Sequence, residues 1–143
     1  MSLTDSIGVS RTARILAFQC INIVAGCPGL IASITDDYLL SNSSWVCSDI
    51  SGGENWTKIG FDDSEWPNAT EYRQNIGDGG ECSNLPIVPT ISENAFWIWM
   101  EDPIEDTINC RAYLRKYDYN QLAFRWPAHR HSRGMACFLD PIR

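Results

Sequence analysis

The stretch ILAFQCINIVAGCPGLIASI, residues 15–34, decides the fold. It is long enough for a membrane span, and Arg11 and Arg14 stand before it as the basic flank of a signal peptide would. Gln19, Asn22, Pro28 and two glycines interrupt the run, however, and the fourteen residues ahead of it hold Asp5 and several polar side chains. The stretch therefore reads as two buried strands, RILAFQCINI and GLIASITD. A turn at AGCPG joins them, with Gly26 and Pro28 supplying the backbone angles. On this reading the chain has no membrane span and no visible secretion signal, and it is expected to be an excerpt of a longer secreted or surface protein.

Outward from that pair, the remaining sequence has the punctuation of a β protein. NAFWIWME, residues 94–101, places aromatics and Ile on both faces of a strand, so both faces must be covered. TINCRAYL and WTKIGF are further strand candidates, DYLLSNSSWVC has apolar residues between turn formers, and FDDSEWPNA is a turn. Residues 71–93 are rich in Gly, Asn and Pro and read mostly as loop. SRTARILAF is the one segment that could form a turn or two of helix. Short strands, frequent Gly and Pro, and two-sided aromatic burial point to an antiparallel β-sandwich. A chain of 143 residues with 44% hydrophobic content can build one such core.

Six cysteines (Cys20, Cys27, Cys47, Cys82, Cys110, Cys137) show no zinc spacing, and three N-glycosylation sequons begin at Asn42, Asn55 and Asn68. Together they indicate an oxidising, extracellular setting with disulfides, whose connectivity six cysteines leave open among about fifteen pairings. The net charge of −7 is unevenly spread: residues 1–110 carry sixteen Asp or Glu against four Lys or Arg, and residues 111–143 carry two against seven. An acidic body with a basic tail is not the footprint of a nucleic-acid binder.

The order NIVAGCPGLIASI, SSWVCS, NWTKIGFDDSEWPNA, AFWIWM, NCRAYL resembles the C-terminal part of galactose-binding-domain-like jelly-roll modules. Such modules occur in animal extracellular proteins and as accessory domains of glycoside hydrolases. The resemblance covers residues 15–114, leaving an N-terminal extension (1–14) and a basic tail (115–143) of unassigned structure. It implies an all-β jelly-roll sandwich that lacks its N-terminal strands, so that the tail or a partner must complete the sheets; the sequence thus admits an oligomer. It also implies that any ligand is a glycan or glycoprotein held by loops at one end of the sandwich, and that Cys47 pairs with Cys110.

Individual residues divide between scaffold and site. Asp62, Asp63 and Ser64 are turn formers whose side chains can bond nearby backbone N–H groups, and Trp66 is expected to plug into the sandwich. The functional reading makes Trp56, Asp62 and Asp63 a sugar or calcium site. Glu101, Asp102, Glu105 and Asp106 are calcium candidates of the same kind, although adjacent carboxylates fall short of the six oxygens calcium needs. Trp97 and Trp99 are expected on one face of their strand. His129 and His131 lie two apart in the basic tail and read as solvated. No nucleophile elbow, phosphate loop or His-Glu-x-x-His occurs. The reading is a non-catalytic extracellular recognition module, with no cofactor required but calcium admitted. The alternatives are an accessory fragment of a glycoside hydrolase and a structural matrix domain.

Overall fold

The computed structural model describes residues 4–7, 14–22, 27–34, 37–50, 53–76, 82, 85–102, 107–114, 122–125 and 135–141. Nine strands run through them: β1 Thr4–Ile7, β2 Ile15–Asn22, β3 Ile31–Ile34, β4 Val46–Ser48, β5 Thr70–Gln74, β6 Phe96–Trp99, β7 Thr107–Tyr113, β8 Leu122–Arg125 and β9 Met135–Pro141. All pairings are antiparallel, in sheets of order β1-β8-β3, β4-β7-β2-β9 and β5-β6. The opening stretch does form two strands, β2 and β3, but they belong to different sheets and do not pair with each other. The basic tail contributes β8 and β9, which pair with β3 and β2. Strands from the tail thus take part in two of the three sheets.

Strand periodicity explains the core. Leu16, Phe18 and Cys20 of β2 and Ile108, Cys110 and Ala112 of β7 point to one face, where they join Ala32 and Ile34 of β3, Trp45 and Trp99 in one buried cluster. Phe18 stacks on Trp45 at 5.7 Å between ring centroids. The opposite face of β3 and β6 is covered by a second cluster, in which Ile31 and Trp97 meet Leu85, Val88 and Ile91 from the long connection after β5. Both faces of FWIW are thus covered. Trp97 and Trp99 fall in different buried clusters, Trp97 with Leu85, Val88 and Ile91 and Trp99 with Phe18 and Trp45. The β5–β6 pairing has a register shift between Glu71 and Arg73, opposite Ile98 and Trp97. Gly29 is needed beside Trp97, because a β-carbon there would sit 2.7 Å from the indole ring.

Two disulfides join distant parts of the chain. Cys47 and Cys110 face each other in the β4–β7 register and are bonded, and Cys27 is bonded to Cys82. Each closes a loop of more than fifty residues, for which chain entropy alone gives a stabilisation of about 4 kcal/mol. No described cysteine is free.

Two elements depart from the sequence expectation. WTKIGF is not a strand: Gly53–Thr57 forms a 3-10 helix, followed by a turn in which Asn55 and Lys58 carbonyls accept from the Lys58 and Phe61 N–H groups. Residues 71–74, part of the stretch read as mostly loop, belong to β5 and pair with β6. The segment SRTARILAF is extended where described, with Ile15 already in β2.

β3 and β6 are linked by reciprocal bonds between Leu30 and Ile98, at 3.0 and 2.9 Å, and then diverge. The buried Ser41 hydroxyl fills the gap, accepting from Ala32 N–H at 3.0 Å and donating to the Phe96 carbonyl at 2.6 Å. Ser41→Ala strands a buried donor and acceptor together. It is expected to lower unfolding free energy by about 1–3 kcal/mol in urea titrations, with an unchanged m value.

Candidate functional site

Asp63, singled out from sequence as a sugar or calcium ligand, serves the scaffold. Arg111 sits in the middle of β7 on the face opposite Cys110, wholly buried. Its Nε donates to Asp63 Oδ2 at 2.8 Å, its Nη1 donates to the carbonyls of Trp56 and Lys58, and its guanidinium lies 5.1 Å from the Phe61 ring centroid. Tyr113 Oη donates to the same Asp63 oxygen at 2.7 Å. Segment 53–66 is thereby clamped over the second face of the β4-β7-β2-β9 sheet. The clamp is also why WTKIGF is not a strand: the carbonyls of Trp56 and Lys58 are turned to a guanidinium, not to a ladder.

Trp66 does not enter the core. It packs over this outer face with Trp56 and Phe61, at 6.2 and 5.5 Å between centroids. Asp62 is exposed and accepts from Ser64 N–H at 3.0 Å, and the Ser64 hydrogen bonds hold its carboxyl below the usual carboxylate range. The structure thus brings Trp56 and Asp63 together under one arginine and leaves Asp62 as a turn cap.

Of the acidic run, Glu101 and Asp102 are exposed, and Glu105 and Asp106 lie outside the described residues, as do His129 and His131. Among the described residues no three His, Cys, Asp or Glu side chains gather as metal ligands. The sequon asparagines are at the surface to different degrees. Asn55 is exposed on the 3-10 helix, and Asn42 is half-buried with its Oδ1 accepting from Ser44 N–H. Asn68 is exposed, and its Nδ2 donates to the Ser43 carbonyl at 2.7 Å.

A different part of the chain forms a concave site. The end of β3, Asp37, Asn75 and residues 87–94 wall an open cleft of about 670 Å³. Its long wall has no ladder of its own. Asn75, 3% exposed, substitutes for one: its Nδ2 donates to the carbonyls of Val88 (2.9 Å), Ile91 (2.8 Å) and Ser92 (3.2 Å), and its Oδ1 accepts from Val88 N–H at 2.7 Å. Arg73 donates to the Leu85 carbonyl, Trp97 Nε1 donates to the Pro86 carbonyl at 3.0 Å, and Ser92 N–H donates to Ser33 Oγ at 3.1 Å. With Leu85, Val88 and Ile91 buried beneath it and Cys82 bonded to Cys27 at its start, the wall is fixed from several sides.

Across the cleft, Asp37 has a φ of +58°, the one non-glycine residue with positive φ among those described. A short polar side chain tolerates that conformation at some cost. Its carboxylate accepts from Asn94 Nδ2 at 2.9 Å. Hydrogen bonds from Ser92 and Asn94 hold the Asp37 carboxyl below the usual range, so it is ionised at neutral pH. Sequence reading missed this site. Asp37 opens the stretch DYLLSNSSWVC, just past the strand candidate GLIASITD, and Asn75 lies inside a presumed loop, so only the placing of Val88 and Ile91 makes the buried-amide pattern visible. No protein-family model matches the chain, and neither a curated protein nor a solved structure does.

Removing Asp63 while Arg111 stays leaves a buried guanidinium unpaired. Asp63→Ala is expected to cost about 3–5 kcal/mol in chemical unfolding, and the Asp63→Ala, Arg111→Met double variant less than the sum of the single losses. Strictly additive losses would show that the two groups act independently.

Proposed function

We propose that the chain is a non-catalytic extracellular recognition domain, a jelly-roll sandwich of the galactose-binding-like type, that holds a glycan in the cleft between Asp37 and residues 87–94. The observation that carries the reading is the anchoring of the 85–94 wall. Connections of this length are ordinarily the least ordered part of a domain, and those that are held rigidly while presenting polar side chains are where binding function concentrates. Here a buried amide, an arginine, an indole and a disulfide hold one short segment, and Thr90, Glu93 and Asn94 project from it beside Asp37.

A saccharide offers many hydroxyls and few apolar patches. It is bound best by acceptors and donors already fixed in place, because ordering flexible loops on binding consumes affinity. Asp37, Glu93, Asn94 and Thr90 provide the polar groups. Ile87, 49% exposed, supplies apolar surface of the kind that lies against a sugar ring. The sandwich reading is supported by the Leu30–Ile98 link, which joins β5-β6 to the edge of β1-β8-β3, opposite the β4-β7-β2-β9 sheet across a shared cluster. The extracellular reading is supported by the disulfides and by Asn55 and Asn68, exposed sequon positions. No helix among the described residues is long and apolar enough to cross a membrane.

Glycan-array screening followed by calorimetry tests the proposal. Saturable binding of an oligosaccharide is expected, with a loss of about tenfold or more in Thr90→Trp, which fills the cleft without touching its anchors. A blank array would favour the structural matrix reading, and undiminished binding in Thr90→Trp would move the site elsewhere.

A further inference from the structure

The four-stranded sheet β4-β7-β2-β9 has two inner strands, β7 and β2, joined by seven facing pairs from Ile15–Tyr113 to Ile21–Thr107. Its outer strands have less to hold them. β4 is three residues long, and β9, Met135–Pro141, comes from the far end of the chain. At the β4 side, Cys47 lies directly opposite Cys110 of β7, and the two are bonded. The β9 side repeats that arrangement, with Cys137 directly opposite Cys20 of β2. Cys20 is wholly buried in the cluster that also contains Cys47 and Cys110, and it is itself disulfide-bonded.

We infer that the partner of Cys20 is Cys137, so that a second cross-strand disulfide fastens the last strand of the chain to the domain. Facing residues of an antiparallel pair have α-carbons about 4.5–5.5 Å apart, within the span of about 4.4–6.8 Å that a disulfide bridges. Of the six cysteines, Cys27 and Cys82 take each other, as do Cys47 and Cys110, which leaves Cys137 for Cys20. The bond forms by thiol–disulfide exchange with a small disulfide donor of the oxidised-glutathione class. One cysteine thiolate attacks the donor and expels a thiol, and the second thiolate displaces the other, so the protein loses two electrons and two protons and the donor leaves as two thiols. The consequence falls on the basic tail. A terminal strand at the side of a sheet is the kind of element that pairs with, or exchanges into, a second copy of the same chain. A covalent tie to β2 keeps β9 in its own domain.

The test uses the full chain, folded in a glutathione redox buffer, alkylated and digested with pepsin at acid pH without reductant, where exchange is suppressed. Fragmentation mass spectrometry is expected to find Cys20 peptides joined to Cys137 peptides, and non-reducing denaturing electrophoresis a monomer. Under denaturing conditions Cys137→Ser should expose one alkylatable thiol, at Cys20, and Cys20→Ser one at Cys137, against none in the unaltered chain. Linkage of Cys20 to any other cysteine, a free Cys137 thiol in the unaltered chain, or a dimer in which Cys20 is bonded to Cys137 of a second copy would overturn the inference. The peptide map of the unaltered chain decides the matter even where a variant fails to fold. The bond is mapped without a ligand, so its failure is separate from a failure of glycan binding.

Discussion

The buried side-chain amide of Asn75 is the interaction on which the wall of the cleft depends. Among the described residues no strand pairs with residues 87–92, so the backbone groups buried there need side-chain partners, and each one left unsatisfied costs about 1–3 kcal/mol. One amide meets three carbonyls and one N–H of that segment. Val88 and Ile91 can then bury their side chains over Trp97 while Thr90, Glu93 and Asn94 stay outside. A single polar residue in the interior thereby converts a connection into a wall.

The same logic operates on the other side of the molecule with a different chemical group. β7 carries Cys110 toward the core and Arg111 away from it, and each neighbour fastens a separate element: the disulfide holds β4, and the guanidinium holds segment 53–66. Both devices fix short, irregular pieces of chain onto strands. This suits a domain whose β4 is three residues long and whose sheets gain β8 and β9 from the end of the chain.

Legibility from sequence followed the physics of each signal. The Gln, Asn, Pro and Gly interruptions in residues 15–34 separated strands from a membrane span, and the doubly apolar FWIW marked a strand covered on both faces. Both are local statements about burial, and burial is what period and composition encode. Pairing was not legible, because β2 and β3 look like a hairpin in sequence but part into different sheets. Trp66 read as core because an indole after a turn usually is, yet its destination was set by Arg111, forty-five residues further along the chain. The aspartates of FDDSEW drew attention as a site through their composition alone, whereas the cleft is assembled from Asp37, Asn75 and residues 87–94, which only the fold brings together.

Under the proposed function, the cleft is organised before its glycan arrives. Amide chemical-shift mapping by NMR during titration with an oligosaccharide tests it most directly, with hydrogen exchange of Val88 and Ile91 followed in the free and bound states. Shifts confined to Asp37 and residues 87–94 are expected, with the Val88 and Ile91 amides already slow to exchange without ligand. Shifts centred on residues 56–66, or protection of Val88 and Ile91 that appears only on binding, would contradict it.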